Sequence, residues 1–113
     1  MAQTDAVILR LKTENKKYVL IYHFRTIILV FDWLNQKPLY VGGWSNTDRD
    51  ILNLFFNKNY LPYIATRKGG FLHIEDEDGN TVETLPLSEL EDKINVEAYA
   101  FRYYIKERNI LFF

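Results

Sequence analysis

Residues 18–33, with the sequence YVLIYHFRTIILVFDW, restrict the fold of this chain more than any other stretch. Most of them are β-branched or aromatic, and such side chains pack well on the pleated surface of a β-sheet. A single strand of this length would be unusual, because strands are mostly about five or six residues long. We therefore predict two strands, at about residues 18–24 and 27–33, with a turn close to residues 23–26.

Weaker patterns predict further strands on both sides of this pair. Val7, Leu9 and Leu11 alternate with more polar neighbours, at the period of two that is typical of a half-buried strand. Residues 39–41 form a short strand candidate whose end is loosened by two glycines, and residues 63–66 form another. The chain is therefore expected to contain several short strands.

The acidic segment FLHIEDEDGNTVE, residues 71–83, raises the question of a calcium-binding loop. In such a loop a glycine occupies position six, and oxygen ligands occupy positions one and twelve. When Gly79 is placed at position six, Ile74 and Leu85 fall at positions one and twelve, and neither can bind a cation. The segment is therefore predicted to be a hairpin with a tight turn at Asp78 and Gly79.

The clearest helix start in the chain is at Ser45. Serine and the two residues after it are good N-cap residues, and Asp48 lies where the helix dipole favours negative charge. We predict a helix over about residues 47–58. Asn57 or Asn59 is expected to end this helix in a left-handed conformation.

A second helix is predicted over about residues 88–107, with Ser88 as its N-cap. Apolar residues recur at helical spacing from Leu90 to Ile105. Together these patterns predict an α+β fold in a single compact domain over residues 1–113. In this fold the two helices pack on an antiparallel sheet of about five to seven short strands.

The composition is that of a folded protein in a reducing compartment. The 113 residues suit one domain with one core, and 48% of them are hydrophobic, far more than in disordered chains. The absence of cysteine weakly favours a reducing environment. The apolar runs are too short to span a membrane, and the N-terminus lacks the pattern of a secretion signal. We therefore expect a cytoplasmic protein.

The net charge of −1 hides a division of charge along the chain. Residues 1–70 carry ten Lys and Arg against five Asp and Glu, whereas residues 71–113 carry four against ten. Such polarity steers encounters with a charged partner, although it also fits an ordinary solvated acidic surface. We favour a non-catalytic protein-binding module, of the inhibitor or adaptor type, that engages a basic protein. The acidic residues expected to form its surface are Glu75, Asp76, Glu77, Asp78, Glu89, Glu91 and Asp92.

The sequence contains no recognisable catalytic or cofactor-binding motif. His23 and His73 do not form the close ligand pair of a zinc site, and the only serines, Ser45 and Ser88, lie at predicted helix caps. The glycine pairs lack the spacing and the lysine of a phosphate-binding loop. We therefore predict no catalytic residue, metal or cofactor.

Two alternative functions stay open. Binding of nucleic acid is the first, because helical spacing places two aromatic and two basic residues on adjoining faces of the second predicted helix. These residues are Tyr99, Arg102, Tyr103 and Lys106. The second alternative is a small enzyme or ligand-binding domain, whose cleft would bring together polar groups such as His23, Asp32 or Tyr40.

A family resemblance bears on the nucleic-acid alternative. The segment LYVGGWSN, residues 39–46, resembles the second half of the GIY-YIG nuclease signature, and EAYAFRYYIK, residues 97–106, is similar to the later helix of that family. In GIY-YIG nucleases a Tyr from each of two strands, an Arg on the first helix and a metal-binding Glu on the later helix cut DNA. Tyr40 and Gly42 match the second strand of this signature.

Three positions depart from the GIY-YIG pattern. The other strand Tyr falls on Leu29, the helix Arg falls on Asp50, and the metal-binding Glu falls on Arg102. A cation at the last position would repel the metal ion. The resemblance therefore implies a catalytically inactive GIY-YIG-like domain.

The last four residues are all apolar, which is unusual for a chain end. They are expected either to dock on the core of the same chain or to contact another chain, in a homodimer or with a partner. The residues concerned are Ile110, Leu111, Phe112 and Phe113.

Overall fold

The fold is that of a computed structural model, which describes residues 6–12, 17–24 and 26–93. Eight elements follow one another in the order β1, β2, β3, β4, α1, β5, β6 and α2. The structure confirms the predicted α+β class. No helix in the described ranges is long and apolar enough to cross a membrane.

The first four strands form an antiparallel sheet in which each strand pairs with the next. They are β1 (Ala6–Lys12), β2 (Lys17–His23), β3 (Thr26–Asp32) and β4 (Lys37–Val41). The two strands predicted from the long apolar stretch are confirmed with boundaries shifted by one residue. Their turn is also confirmed, because His23 pairs with Thr26 across the hairpin.

A second, two-stranded sheet contains β5 (Ile64–Lys68) and β6 (Phe71–Glu75). The prediction of one sheet with five to seven strands was therefore wrong, although six strands are present among the described residues. The two sheets meet at one backbone hydrogen bond, in which Leu72 N–H donates to the carbonyl of Gly43 over 3.3 Å. Because Gly43 lies beyond the end of β4, the hairpin does not continue the ladder of the first sheet.

The acidic segment after β6 forms the predicted turn, but the second strand of the predicted hairpin is almost absent. Gly79 has the predicted positive φ, at 83°, and its N–H donates to the carbonyl of Asp76 over 3.0 Å. Beyond the turn, the ladder consists of an isolated bridge between Glu75 and Thr81. Val82 N–H also donates to the carbonyl of Ile74 over 2.7 Å.

Helix α1 (Asn46–Lys58) confirms the first predicted helix and its Ser45 cap. The predicted C-terminal asparagine was wrong, since Asn59 has φ −104° and Tyr60 is the left-handed residue, with φ 54°. Leu61 N–H donates to the carbonyl of Phe56 over 2.9 Å, and Tyr60 N–H to that of Asn57 over 3.2 Å. This pair of bonds is a Schellman motif, and the apolar contact of Leu61 with the core holds the chain in it.

Helix α2 (Leu87–Lys93) is the described part of the second predicted helix. The predicted Ser88 cap was wrong, because the helix begins at Leu87 and its first hydrogen bond runs from Leu90 N–H to the carbonyl of Pro86. The predicted continuation to residue 107 lies outside the described residues. Leu90 of α2 is 1% exposed and packs with Tyr18, Leu20, Tyr22 and Val30. The helix thus covers one face of the first sheet.

The opposite face of the first sheet is covered by α1 and the second sheet. Val19 and Ile21 of β2 point to this face, and they belong to a cluster with Phe31 and Phe56. The central strands β2 and β3 are therefore buried on both faces. This explains why their sequence is a nearly continuous apolar run.

Asn53 joins α1 to the outer edge of β5. Its side-chain amide donates to the carbonyl of Ala65 over 3.1 Å, and its side-chain oxygen accepts from Ala65 N–H over 2.7 Å. One amide side chain therefore takes the place of a neighbouring strand at this edge.

Candidate functional site

A buried His–Asp pair lies where β2 meets the start of α1. His23 is the last residue of β2, and its Nδ1 lies 2.6 Å from Oδ1 of Asp48. His23 is 7% exposed and Asp48 is 4% exposed. Two titratable side chains 25 residues apart in sequence are thus brought together inside the protein.

Asp48 is fixed by the start of α1. It is the third residue of the helix, and it completes a capping box with Ser45. Its Oδ2 accepts from Trp44 N–H over 3.1 Å and from Ser45 N–H over 3.3 Å, while Ser45 Oγ accepts from Asp48 N–H over 3.0 Å. Gly43 permits this approach, since a Cβ at that position would lie 2.9 Å from Oδ2.

These bonds determine the charge of Asp48. Burial by itself would raise the pKa of this carboxyl, but the hydrogen bonds from His23, Trp44 and Ser45 together hold the pKa below its ordinary value of 3.8. Asp48 is therefore a carboxylate at neutral pH. A carboxylate can only accept hydrogen bonds.

The carboxylate in turn determines which nitrogen of His23 carries a proton. Nδ1 must be the donor in its bond with Asp48, so the neutral ring presents a lone pair at Nε2. Nε2 is buried and has no hydrogen-bond partner among the described residues. A carboxylate that fixes a histidine tautomer in this way recurs in catalytic and metal-binding sites.

His23 and Asp48 line an open cleft of about 310 Å³. Phe24 and Trp44 also line this cleft, and they are 61% and 56% exposed. The ring of Phe24 lies against the imidazole of His23, with centroids 4.4 Å apart and planes at 40°. The remaining lining residues are Thr26, Ser45 and Thr47. We call this feature the His23 cleft.

Of the three polar residues suggested for a cleft, only His23 lines the one just described. Asp32 instead accepts hydrogen bonds from the backbone and side chain of Asn35, and thereby forms the turn after β3. Tyr40 is half-buried in β4 and packs against the cluster that contains Leu90.

The predicted acidic surface includes a turn at residues 76–80 that is closed by several hydrogen bonds. Oδ1 of Asp76 accepts from Asp78 N–H over 2.9 Å and from Asn80 N–H over 3.0 Å. Glu77 and Asp78 are exposed, and neither forms an ion pair with any residue that the structure describes.

Other predicted members of the acidic surface differ in their surroundings. Glu75 forms an ion pair with Lys68, with 3.0 Å between Oε2 and Nζ, and its side chain is only 22% exposed. Glu89 is exposed in the first turn of α2, and the backbone of Glu91 and Asp92 continues that helix. No group of three His, Cys, Asp or Glu side chains within residues 6–12, 17–24 and 26–93 is arranged to hold a metal ion.

Several predicted residues lie outside the described part of the chain. They are the proposed nucleic-acid-binding residues Tyr99, Arg102, Tyr103 and Lys106, and the apolar chain end Ile110, Leu111, Phe112 and Phe113.

Sequence reasoning singled out His23 but missed its partner. Asp48 was interpreted only as a residue favoured by the helix dipole. No spacing rule connects a residue at a strand end with one in a helix 25 positions later. The available signal was that Asp48 follows the Ser45 cap by three residues, which predicts a capping box and therefore a partly buried carboxylate.

Comparison with known proteins gives no relative of this chain: no protein family, curated protein or solved structure matches it significantly. The positions of the GIY-YIG resemblance can still be located. Leu29 is fully buried in the core, and Asp50 is exposed and forms an ion pair with Arg49 over 3.1 Å. The position that matches the metal-binding Glu, Arg102, lies outside the described residues.

Proposed function

We propose that this domain is a non-catalytic protein-binding module that engages a basic partner protein through the turn at Asp76–Asn80. The observation that carries the proposal is that two exposed carboxylates, those of Glu77 and Asp78, lie on a turn held together by hydrogen bonds. Glu89 is exposed as well, but it lies on α2, on the opposite face of the first sheet from the second sheet, so the proposed binding surface depends on the turn.

The order of the turn favours binding. Asp76 binds two backbone N–H groups within the turn, and its own N–H donates to the carbonyl of Asn80 over 2.9 Å. A charged group on a pre-organised backbone loses less conformational entropy when a partner binds than the same group on a mobile loop. The turn therefore presents its carboxylates at little entropic cost.

The charge distribution favours a basic partner. Lys68 is the basic residue that the structure places against the acidic hairpin, and its ion pair involves Glu75 at the base of the turn. No ion pair with a described residue neutralises Glu77 or Asp78. Their charges are available to steer a positively charged surface, an effect that acts mainly on the association rate and weakens with salt.

The test compares the wild-type domain with a variant that carries both Glu77→Gln and Asp78→Asn. Each immobilised domain is used to capture proteins from an extract of the source cells, and the affinity of a recovered protein is then measured at low and high salt. We expect the double variant to bind about five- to tenfold more weakly at low salt, with a smaller difference at high salt.

Asp50→Asn is the matched control, because Asp50 is also exposed but lies on α1 and already pairs with Arg49. It is expected to bind like the wild type. Equal affinity of the double variant and the wild type for the recovered protein would contradict the proposal, as would a recovered protein that lacks a basic surface.

A second candidate function is the binding of single-stranded nucleic acid, which one observation favours. A cleft of about 220 Å³ beside the paired strands β1 and β2 is lined by two cations and two aromatic residues, together with Val19. The four are Arg10, Lys17, Tyr18 and Trp33. Basic grooves with aromatic side chains are typical of single-strand binding proteins.

This candidate is tested with a fluorescein-labelled dT oligonucleotide in low salt. Phosphate contacts predict an affinity that falls steeply as salt is added. Lys17→Glu should abolish binding, whereas Lys58→Glu, a matched change at the exposed end of α1, should weaken it less. Equal effects of the two changes would contradict a site in this cleft.

A further inference from the structure

The Nε2 atom of His23 is a buried polar atom without a hydrogen-bond partner in residues 6–12, 17–24 and 26–93. It is almost completely covered by the protein. Buried polar atoms are nearly always paired, because an unpaired one costs about 1–3 kcal/mol. Unlike Thr66, whose Oγ1 is also unpaired among the described residues, His23 lines a cleft from which an external molecule can supply the missing partner.

The bonds of Asp48 specify what kind of partner is missing. Because Nδ1 donates to the carboxylate, the neutral ring offers a lone pair at Nε2, which requires an N–H or O–H donor. An anionic group is disfavoured, since it would face this lone pair with the Asp48 carboxylate directly behind the ring. Both oxygens of Asp48 are already occupied by protein donors.

The aromatic side chains that line the cleft favour a ligand with a flat ring. Phe24 and Trp44 expose more than half of their surface, although aromatic side chains of this size usually lie inside a protein. Aromatic side chains that flank a cleft bind planar molecules by stacking or edge contacts. The volume of about 310 Å³ lies at the small end of ligand sites, and it suits one ring system.

We infer that the His23 cleft binds a small, neutral, planar molecule of the phenol or N–H heterocycle class, whose donor bonds Nε2 of His23 while its ring contacts Phe24 and Trp44. Phe24 is the cover of the site, because its ring lies on the imidazole and its other side faces solvent. Because Nε2 is almost completely covered, binding requires the Phe24 ring to turn outward, to a position where it still contacts the ligand ring. This inference does not depend on the acidic turn or on a protein partner.

The test uses two probes, phenol and its methyl ether anisole, which keeps the ring and the oxygen but has a methyl group in place of the O–H donor. Binding is followed at neutral pH by NMR, through the amide signals of His23, Phe24 and Trp44 and the nitrogen signals of the His23 ring. We expect phenol to bind in the millimolar range, to shift the Nε2 signal, and to bind at least about fivefold more tightly than anisole.

Asp48→Asn tests the tautomer directly. The Asn oxygen can still accept from Trp44 and Ser45, but its NH₂ group donates to Nδ1 and so moves the ring proton to Nε2. Nε2 then no longer accepts a hydrogen bond. The preference of the wild type for phenol over anisole should be lost in this variant.

Trp44→Ala is a second variant that leaves the buried pair intact, since Trp44 is 56% exposed. This variant should weaken the binding of phenol and the binding of anisole by similar factors, because it removes a contact with the ligand ring but leaves the acceptor Nε2 in place. The inference is overturned if wild-type protein binds the two probes equally, if neither probe shifts the cleft signals, or if the phenol preference persists in a folded Asp48→Asn variant. The first two outcomes need no variant and decide the matter even if Asp48→Asn does not fold.

Discussion

Tyr60 stands at a backbone position that usually belongs to glycine. It follows the last residues of α1 with φ 54°, and its side chain is 94% exposed. A left-handed conformation costs an ordinary L-residue about 1–2 kcal/mol, whereas glycine adopts it freely. The side chain therefore contributes strain without a compensating buried contact.

Replacement of Tyr60 by glycine should stabilise the protein. The gain in the free energy of unfolding is expected to be about 0.5–1 kcal/mol, since the greater flexibility of glycine in the unfolded chain offsets part of the relieved strain. Urea denaturation measures it. The control Asn59→Gly, at φ −104°, should instead destabilise, because it removes the 2.8 Å bond from Asn59 to the carbonyl of Phe55. A Tyr60→Gly variant less stable than the wild type would contradict the prediction.

The lowered pKa of Asp48 predicts a pH-dependent contribution to stability. The carboxyl has a lower pKa in the folded protein than its ordinary value of 3.8 in the unfolded chain. Its contribution is therefore fully present above about pH 5, and it is lost as the pH falls through 3.8 towards the folded pKa. The wild type and Asp48→Asn should accordingly differ most in unfolding free energy above about pH 5, and the difference should shrink towards pH 3. A difference that grows in acid would contradict this assignment.

At the scale of secondary structure, the two hydrogen bonds between Asn53 of α1 and Ala65 of β5 can be tested for their contribution to stability. Asn53→Leu keeps the approximate shape of the side chain but leaves Ala65 N–H and C=O without their partner. We expect a loss of about 2 kcal/mol in the free energy of unfolding, measured in urea. The carboxylate introduced by Asn53→Asp can still accept from Ala65 N–H but cannot donate to the carbonyl of Ala65. The loss of stability in this variant should therefore depend on pH. An Asn53→Leu variant as stable as the wild type would show that the link contributes nothing.

The elements of this fold were largely predictable because their signals are local. The apolar stretch from Tyr18 to Trp33, the cap at Ser45 and the turn at Gly79 each reflect a few neighbouring residues. The arrangement of strands into two sheets was not predictable, since it depends on how α1 positions the second hairpin. The left-handed Tyr60 was also missed, because the packing of Leu61 on the core outweighs the preference of asparagine for that conformation.

The candidate site was less predictable than the elements that build it. His23 was recognised as a polar residue worth testing, but its chemistry depends on Asp48, which approaches it only in the folded chain. The exposure of the aromatic residues that line the cleft was not predicted, for a similar reason. Phe24 lies in an apolar stretch that otherwise enters the core, and it is exposed because the hairpin turn falls there.

For the molecule as a whole, the two hydrophobic clusters lie on opposite faces of the same central strands. Neither cluster can lose its packing without disturbing β2 and β3. We therefore expect a single cooperative unfolding transition. Far-UV circular dichroism and tryptophan fluorescence, in which Trp33 reports on the cluster opposite α2, should give the same urea midpoint.

Leu90→Ala tests this coupling. Leu90 is 1% exposed in the cluster beneath α2, and its truncation should cost about 2–4 kcal/mol and shift both signals equally. The matched control is Leu54→Ala on α1, which should change stability by less than about 0.5 kcal/mol because Leu54 is 57% exposed. If Leu90→Ala shifts the circular dichroism but leaves the fluorescence transition in place, the two faces unfold independently.

The Asn53 side chain also bears on how the protein behaves at high concentration. A strand at the margin of a sheet offers free N–H and C=O groups, to which a strand of another molecule can add, and repeated addition leads to fibrils. On β5 the N–H and C=O groups of Ala65 are already occupied by an amide from the same molecule. The helix that packs on the second sheet thereby also shields it against intermolecular strand addition.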